Sequence, residues 1–174
     1  MLRRMISENL VKAGFDSNVF NDRNFLEELL RKPPPTRSRK LQLQLYLSPI
    51  VLTELSVKLF REGWDDLAML QYLQEFPFHL LTYSERPTFA VARLVATERI
   101  SLRDHARDLM IGTNYLVERC IIVTENVKHF AWVTLKSSSI QRYVGIKELD
   151  ETKGIPELVY TPKQLWNRLR PYFE

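Results

Sequence analysis

Short apolar runs with strand character alternate with stretches of helical periodicity from residue 10 to the C-terminus, and this alternation constrains the fold more than any other feature of the chain. Leu10–Asp16 (LVKAGFD), Leu41–Leu47 (LQLQLYL), Phe78–Thr82 and Cys120–Thr124 read as strands, with Pro156–Tyr160 as a last one. The second alternates apolar and polar residues in its first half, as a strand with one wetter face does, and the fourth is β-branched and bounded by charge. Helical patterns fill the gaps. Asn21–Lys32 is stopped by Pro33, Pro34 and Pro35, which cannot continue a helix. Ser48-Pro49 supplies an N-cap and a proline at the first helical position, and Thr161-Pro162 opens a C-terminal helix. Between these lie Trp64–Phe76, Glu85–Ile100 and a segment from Leu102 on which Ala106, Leu109, Met110, Thr113, Leu116 and Val117 form one stripe. A strand reached through a helix returns parallel to its predecessor. The expectation is an α/β three-layer fold over residues 1–174, a mostly parallel sheet of four to five strands flanked by helices. Residues 1–9 form an N-terminal extension and 31–40 a basic, proline-rich loop.

Composition narrows the function classes. A single Cys excludes a disulfide scaffold and a four-cysteine zinc site and suits a reducing compartment. Apolar runs such as Cys120–Val123 fall far short of the about 18 residues needed to cross a bilayer. The start, MLRRMISENL, lacks the apolar stretch of a secretory signal, so the expected location is cytoplasmic. A net charge of +4 permits a polyanionic partner without requiring one.

Ligands of open parallel sheets bind beyond the carboxyl ends of the strands, and four polar loci fall there or on a neighbouring helix. Asp16 stands where the first strand runs into the polar turn Ser17-Asn18, either capping the next helix or facing a cleft. Glu54 lies in the first two turns of a helix whose composition, apolar nearly all round, predicts extensive burial. It either pairs with Lys58 along the helix or faces the same cleft. Asp104 and Asp108 share one helix face, a repulsive spacing unless a cation or an arginine such as Arg103 or Arg107 lies between them. Gly112, one turn on, suggests a close backbone approach. The fourth locus, Thr124-Glu125-Asn126, joins the fourth strand to a helix and reads equally well as a cap and turn. Cys120, His79 and the aromatic residues Trp64, Tyr72 and Phe76 read as packing, and His129 as a helix-start residue.

Taken in order, FDSNVF, SPIVLTELSV, DLMIGTNYL and VTENVKHF resemble the motifs of PIN-domain ribonucleases, and most of all the VapC-type toxins of type II toxin–antitoxin pairs. The resemblance runs from Leu10 to the C-terminus. It implies a PIN-like fold and an endoribonuclease that cuts RNA to leave a 5′-phosphate and a 3′-hydroxyl. Asp16, Glu54 and Asp108 would be its metal-binding acids, and Asn126 would take the fourth place, where many relatives have Asp. Ser17, Asn18 and Thr124 would hold the carboxylates, and Asp104 could supplement the cluster. Three carboxylates in one pocket need a cation, and hard oxygen donors suit Mg²⁺ or Mn²⁺. Arg103, Arg107 and Lys128 would contact RNA phosphates beside the site, with Arg37, Arg39 and Lys40 in the basic loop as further contacts. The partners implied are RNA, an antitoxin protein and a second copy of the chain. Two other readings stay open: a PIN nuclease of RNA processing that is not a toxin, and a catalytically silent PIN module that binds RNA or protein.

Overall fold

The computed structural model describes residues 1–21, 41–75, 78–135 and 158–172. Nearly all of the helix expected at 21–32, and all of the basic loop with Arg37, Arg39 and Lys40, lie outside these residues. Five strands form one sheet: β1 (Leu10–Phe15), β2 (Gln42–Leu47), β3 (Phe78–Leu80), β4 (Ile121–Val123) and β5 (Val159–Tyr160). Every pairing is parallel and the order is β3-β2-β1-β4-β5. The helices are α1 (Leu2–Ser7), α2 (Pro49–Arg61), α3 (Asp66–Glu75), α4 (Glu85–Glu98), α5 (Leu102–Val117), α6 (Ala131–Leu135) and α7 (Pro162–Leu169). The α/β fold expected from the alternation is therefore present, with the sheet wholly rather than mostly parallel. The chain steps outward from β1 through β2 to β3, then crosses back to the far side of β1 for β4 and β5. The order thus reverses between β1 and β4, and a crevice opens at such a switch point, outside the carboxyl ends of the two strands.

The core gathers on these two central strands. Val11, Ala13 and Phe15 of β1 and all three residues of β4 are completely buried, the pattern of strands covered on both faces. On β2, Leu45 and Leu47 are buried while Gln42, Gln44 and Tyr46 are more open, so the period-two alternation does mark a wetter face. The residues before β1 add to this core. Helix α1 buries Leu2 and Met5 and packs beside β1, which gives the N-terminal extension a structural part.

Helix α2 begins as expected, with Ser48 as N-cap accepting from the Ile50 N–H and Pro49 at its first position. Its burial differs from the expectation. Only Val51, Leu55 and Leu59 are buried, while Val57 and Phe60 are 43% and 45% exposed. A helix lying on a sheet covers one stripe, and apolar composition on the far side does not change that geometry.

Helix α5 starts at Ser101, whose hydroxyl accepts from the Asp104 N–H at 3.3 Å. Leu102, the first residue of the expected stripe, is 48% exposed, whereas Leu109, Thr113, Leu116 and Val117 are buried. From Asp108 onward the helix is buried nearly all round, because α4, β4 with the turn after it, and α2 pack against it. Two glycines make that packing possible. A Cβ on Gly112 would lie 2.7 Å from Trp132, and one on Gly14 of β1 would lie 2.2 Å from the Tyr115 ring. The Tyr115 hydroxyl donates to the Phe15 carbonyl and accepts from the Ser48 N–H at 3.0 Å, tying the end of β1, the start of α2 and α5 together.

Candidate active site

Asp16 follows β1 directly and is completely buried. Its backbone N–H donates to the Val123 carbonyl at 2.9 Å, which fixes the turn against β4. Three donors converge on its carboxylate. The Ser17 N–H donates to Oδ1 at 2.8 Å, while the Asn18 amide and the Thr124 hydroxyl donate to Oδ2 at 3.0 and 2.8 Å. Both supporting side chains use their remaining capacity on the same loops. Thr124 Oγ1 accepts from the Asn18 amide at 3.1 Å and from the Asn126 N–H at 3.0 Å, the full complement of one donor and two lone pairs. Asn18 Oδ1 accepts from the Glu125 N–H at 3.0 Å. The β1 and β4 loops are thus knitted by side chains adjacent to the switch point. The Asp16 carbonyl accepts from the Val19 N–H at 3.1 Å and the short 3₁₀ turn Ser17–Asn21 follows, so its reading as a turn residue holds.

Glu54 and Asp108 come from helices that pack on each other, α2 and α5. Both meet Arg107. Its guanidinium lies 3.1 Å from Glu54 Oε1 and 3.1 Å from Asp108 Oδ1. Burial pulls the pKa of Arg107 down, but the negative charges of Glu54, Asp108 and Asp16 outweigh this and leave it raised. Glu54 therefore pairs with Arg107 on the neighbouring helix and not with Lys58, which donates to Asn21 instead. Arg107, expected to face RNA phosphate, spends its charge on the acids. Its neighbour Arg103 is exposed on the same helix, and Lys128 is exposed beyond β4. Asp104, expected as a possible supplement, is exposed in the first turn of α5, with no ion pair or hydrogen bond to the acid group among the described residues. The helical spacing that relates it to Asp108 leaves it a full turn farther from the crevice.

Asn126 lies beside Asp108 through a residue that the sequence reading left aside. His129 Nδ1 is 3.4 Å from Asp108 Oδ2, and its Nε2 is 2.8 Å from the Asn126 amide. The three-residue spacing of Asn126 and His129 at the start of a helical turn was the available signal, since side chains three apart share a face. Of the other residues, Cys120 is buried, His79 stands exposed on the edge strand and stacks on Tyr46, and Trp64 meets Tyr72 edge-on, while Phe76 lies outside the described residues.

The acids present open oxygens of the kind a divalent ion takes. Glu54 Oε2 is buried without a hydrogen-bond partner, and Asp16 Oδ1 accepts from a single donor. Carboxylate oxygens left open in this way are what a hard cation takes, so the donor set fits in kind. As placed, however, no group of three or more His, Cys, Asp or Glu side chains among the described residues could hold a metal ion. Arg107 stands between Glu54 and Asp108 and supplies the positive charge there.

No family model matches the chain, and no curated protein matches it by sequence. Its fold, a parallel five-stranded α/β sheet, does have solved counterparts. The structure of VapBC-1 from nontypeable Haemophilus influenzae aligns at 20% identity with a TM-score of 0.50, over 71% of this chain and 93% of that one. VapBC2 from Rickettsia felis, bound to a DNA fragment from its promoter, aligns at 18% identity and 0.49, over 87% and 98%. A toxin–antitoxin complex from Klebsiella pneumoniae aligns at 21% and 0.48, over 68% and 90%. The likeness to the Haemophilus structure is one of fold, and it agrees with the α/β fold that the four motifs imply.

Proposed function

We propose that this chain is a metal-dependent endoribonuclease that hydrolyses RNA phosphodiester bonds, and that it acts as a toxin held in check by a cognate antitoxin. One observation carries the reading. Asp16, fully buried at the switch point and fixed by Ser17, Asn18 and Thr124, lies in the field of a guanidinium that also meets Glu54 and Asp108. Acids brought together from three parts of the chain serve no packing purpose, and an acidic pocket at that place suits a cation and a phosphate. Asp16, Glu54 and Asp108 would hold Mg²⁺ or Mn²⁺, with Asn126 and His129 beside them. The ion, when bound, lowers the pKa of a coordinated water and neutralises charge on the phosphate. The chain's own residues do the rest. Thr124 and Asn18 keep the Asp16 carboxylate in one orientation, and His129 holds Asp108 and Asn126 in register. Arg103 and Lys128 offer exposed cations to the RNA backbone. The antitoxin partner is supported by the toxin–antitoxin complexes among the structures of like fold, and homodimerisation by the sequence resemblance. No described helix is long and apolar enough to cross a membrane.

A second reading has its own support. With Arg107 on two of the acids and an amide at Asn126, the chain would serve as a silent module that binds RNA or protein without cutting it. One assay separates the two. Purified protein incubated with structured RNA and Mg²⁺ or Mn²⁺ is expected to yield 5′-phosphorylated fragments. Chelator is expected to stop the reaction, and Asp16→Asn to reduce it by at least about a hundredfold, the order of loss when charge stabilisation at a reacting centre is removed. Cleavage retained by Asp16→Asn would refute the site; RNA bound but never cut would establish the silent module.

A further inference from the structure

Arg107 is in ion-pair contact with two acids of the candidate site, at 3.1 Å from each. Its side chain is 47% exposed, so packing alone does not lock it in place. The charge of the acids holds it. The guanidinium engages one oxygen of each carboxylate and leaves the others to different fates: Asp108 Oδ2 faces His129, and Glu54 Oε2 is buried with no partner. A planar monovalent cation therefore sits among the carboxylates without satisfying them.

We propose that Arg107 is a built-in competitor for the divalent ion, occupying the cation position between Glu54 and Asp108 so that a metal binds only by displacing it. This rests on the nuclease reading, in which those acids are the ligands. It makes Arg107 the residue that sets the metal affinity of the site. With the guanidinium half in water and screened there, each of the two ion pairs weighs a factor of about two to five in an equilibrium. Breaking two of them weakens metal binding about tenfold. The side chain can leave, because its exposed half already faces water and a flexible stem carries the head group away from the acids.

The test is calorimetric titration of Mn²⁺ into the full chain without RNA, so that the readout is binding and not activity. Arg107→Gln is expected to bind Mn²⁺ about tenfold more tightly than wild type. Arg107→Lys, which keeps the charge but loses the fork, is expected to fall between them. Arg93→Gln, at an exposed position of α4, makes the same change of net charge away from the acids and is expected to leave the affinity unchanged within twofold. Asp16→Asn is expected to abolish binding, which identifies the measured ion as the one in the site. If Arg107→Gln binds no more tightly than wild type, or Arg93→Gln gains as much, the competitor role is overturned and the acid site stands. If no variant binds Mn²⁺, or Asp16→Asn still does, the nuclease reading falls and the competitor role falls with it.

Discussion

At the scale of single residues, the site is decided by saturation of hydrogen bonds. Thr124 is completely buried and its one hydroxyl oxygen serves Asp16, Asn18 and Asn126 at once. Thr124→Val keeps the shape and removes all three contacts, leaving the Asn126 N–H and one Asn18 amide proton without their acceptor. An unsatisfied buried donor costs about 1–3 kcal/mol, so denaturant unfolding of Thr124→Val is expected to show a loss in that range. RNA cleavage is expected to fall further than stability accounts for, because Asp16 also loses one of its three anchors. Thr124→Ser, which keeps the hydroxyl, is expected to restore most of the activity. The sequence singled out Asp16 and Asn126 by their place after a strand, Glu54 by its place in the first turns of a helix and Asp108 by its helical spacing from Asp104. The engagement of Arg107 with the acids was not. Arg107 is adjacent to Asp108 in sequence and its partner Glu54 lies on another helix, so no local spacing encodes the contact.

At the scale of elements, the close approach of α5 to the sheet is what presents Asp108 to the crevice. Gly14 faces the Tyr115 ring so closely that a Cβ would overlap it at 2.2 Å, and Gly112 would meet Trp132 at 2.7 Å. Both clashes fall on aromatic rings packed in the core, which cannot swing aside as a flexible side-chain end would. Gly14→Ala is expected to destabilise the fold by about 3 kcal/mol or more, near the upper end for overpacked cores. Gly112→Ala is expected to cost less, about 1–2 kcal/mol, since alanine's better helix propensity returns part of the loss. Thermal melts of the two variants beside wild type check the order. The sequence flagged Gly112 because glycine is costly inside a helix. It gave no sign for Gly14, since glycine in a strand has several causes and only the position of Tyr115 selects one.

At the scale of the whole molecule, groups buried at the centre of the fold make stability fall on the alkaline side. Burial pushes the Tyr115 pKa well above its usual value, the Ser48 N–H offsets this only in part, and the charges of Asp16 and Glu54 add to the rise. Burial likewise pushes the Cys120 thiol up, with Lys12 pulling it back in part. Each group keeps its proton in the folded chain and releases it in the unfolded chain at its ordinary pKa. The folded state therefore binds more protons above that pKa, and stability is full below it and declines as pH rises. The decline is expected to begin near pH 8.5, the ordinary range of a thiol, and to steepen above about 10, the ordinary range of tyrosine. Tyr115→Phe is expected to melt lower than wild type at pH 7, through the lost hydrogen bonds to Phe15 and Ser48. Its melting temperature is expected to fall less steeply between pH 9.5 and 11, and parallel slopes for the two proteins would contradict the assignment.

The sequence by itself determined the alternation of strands and helices, hence a parallel α/β sheet, and the order of four polar loci at or near the crevice edge. These are local properties: apolar periodicity, caps, prolines and the place where an apolar run ends. Tertiary structure alone decided that α1 joins the core, that α2 buries one stripe, and that Leu102 and Asp104 stay outside. It also decided that Arg107 rather than Lys58 meets Glu54, and that His129 bridges Asp108 and Asn126. Each of those outcomes depends on which elements lie side by side, and long-range charge contacts leave no periodic trace in the chain that forms them.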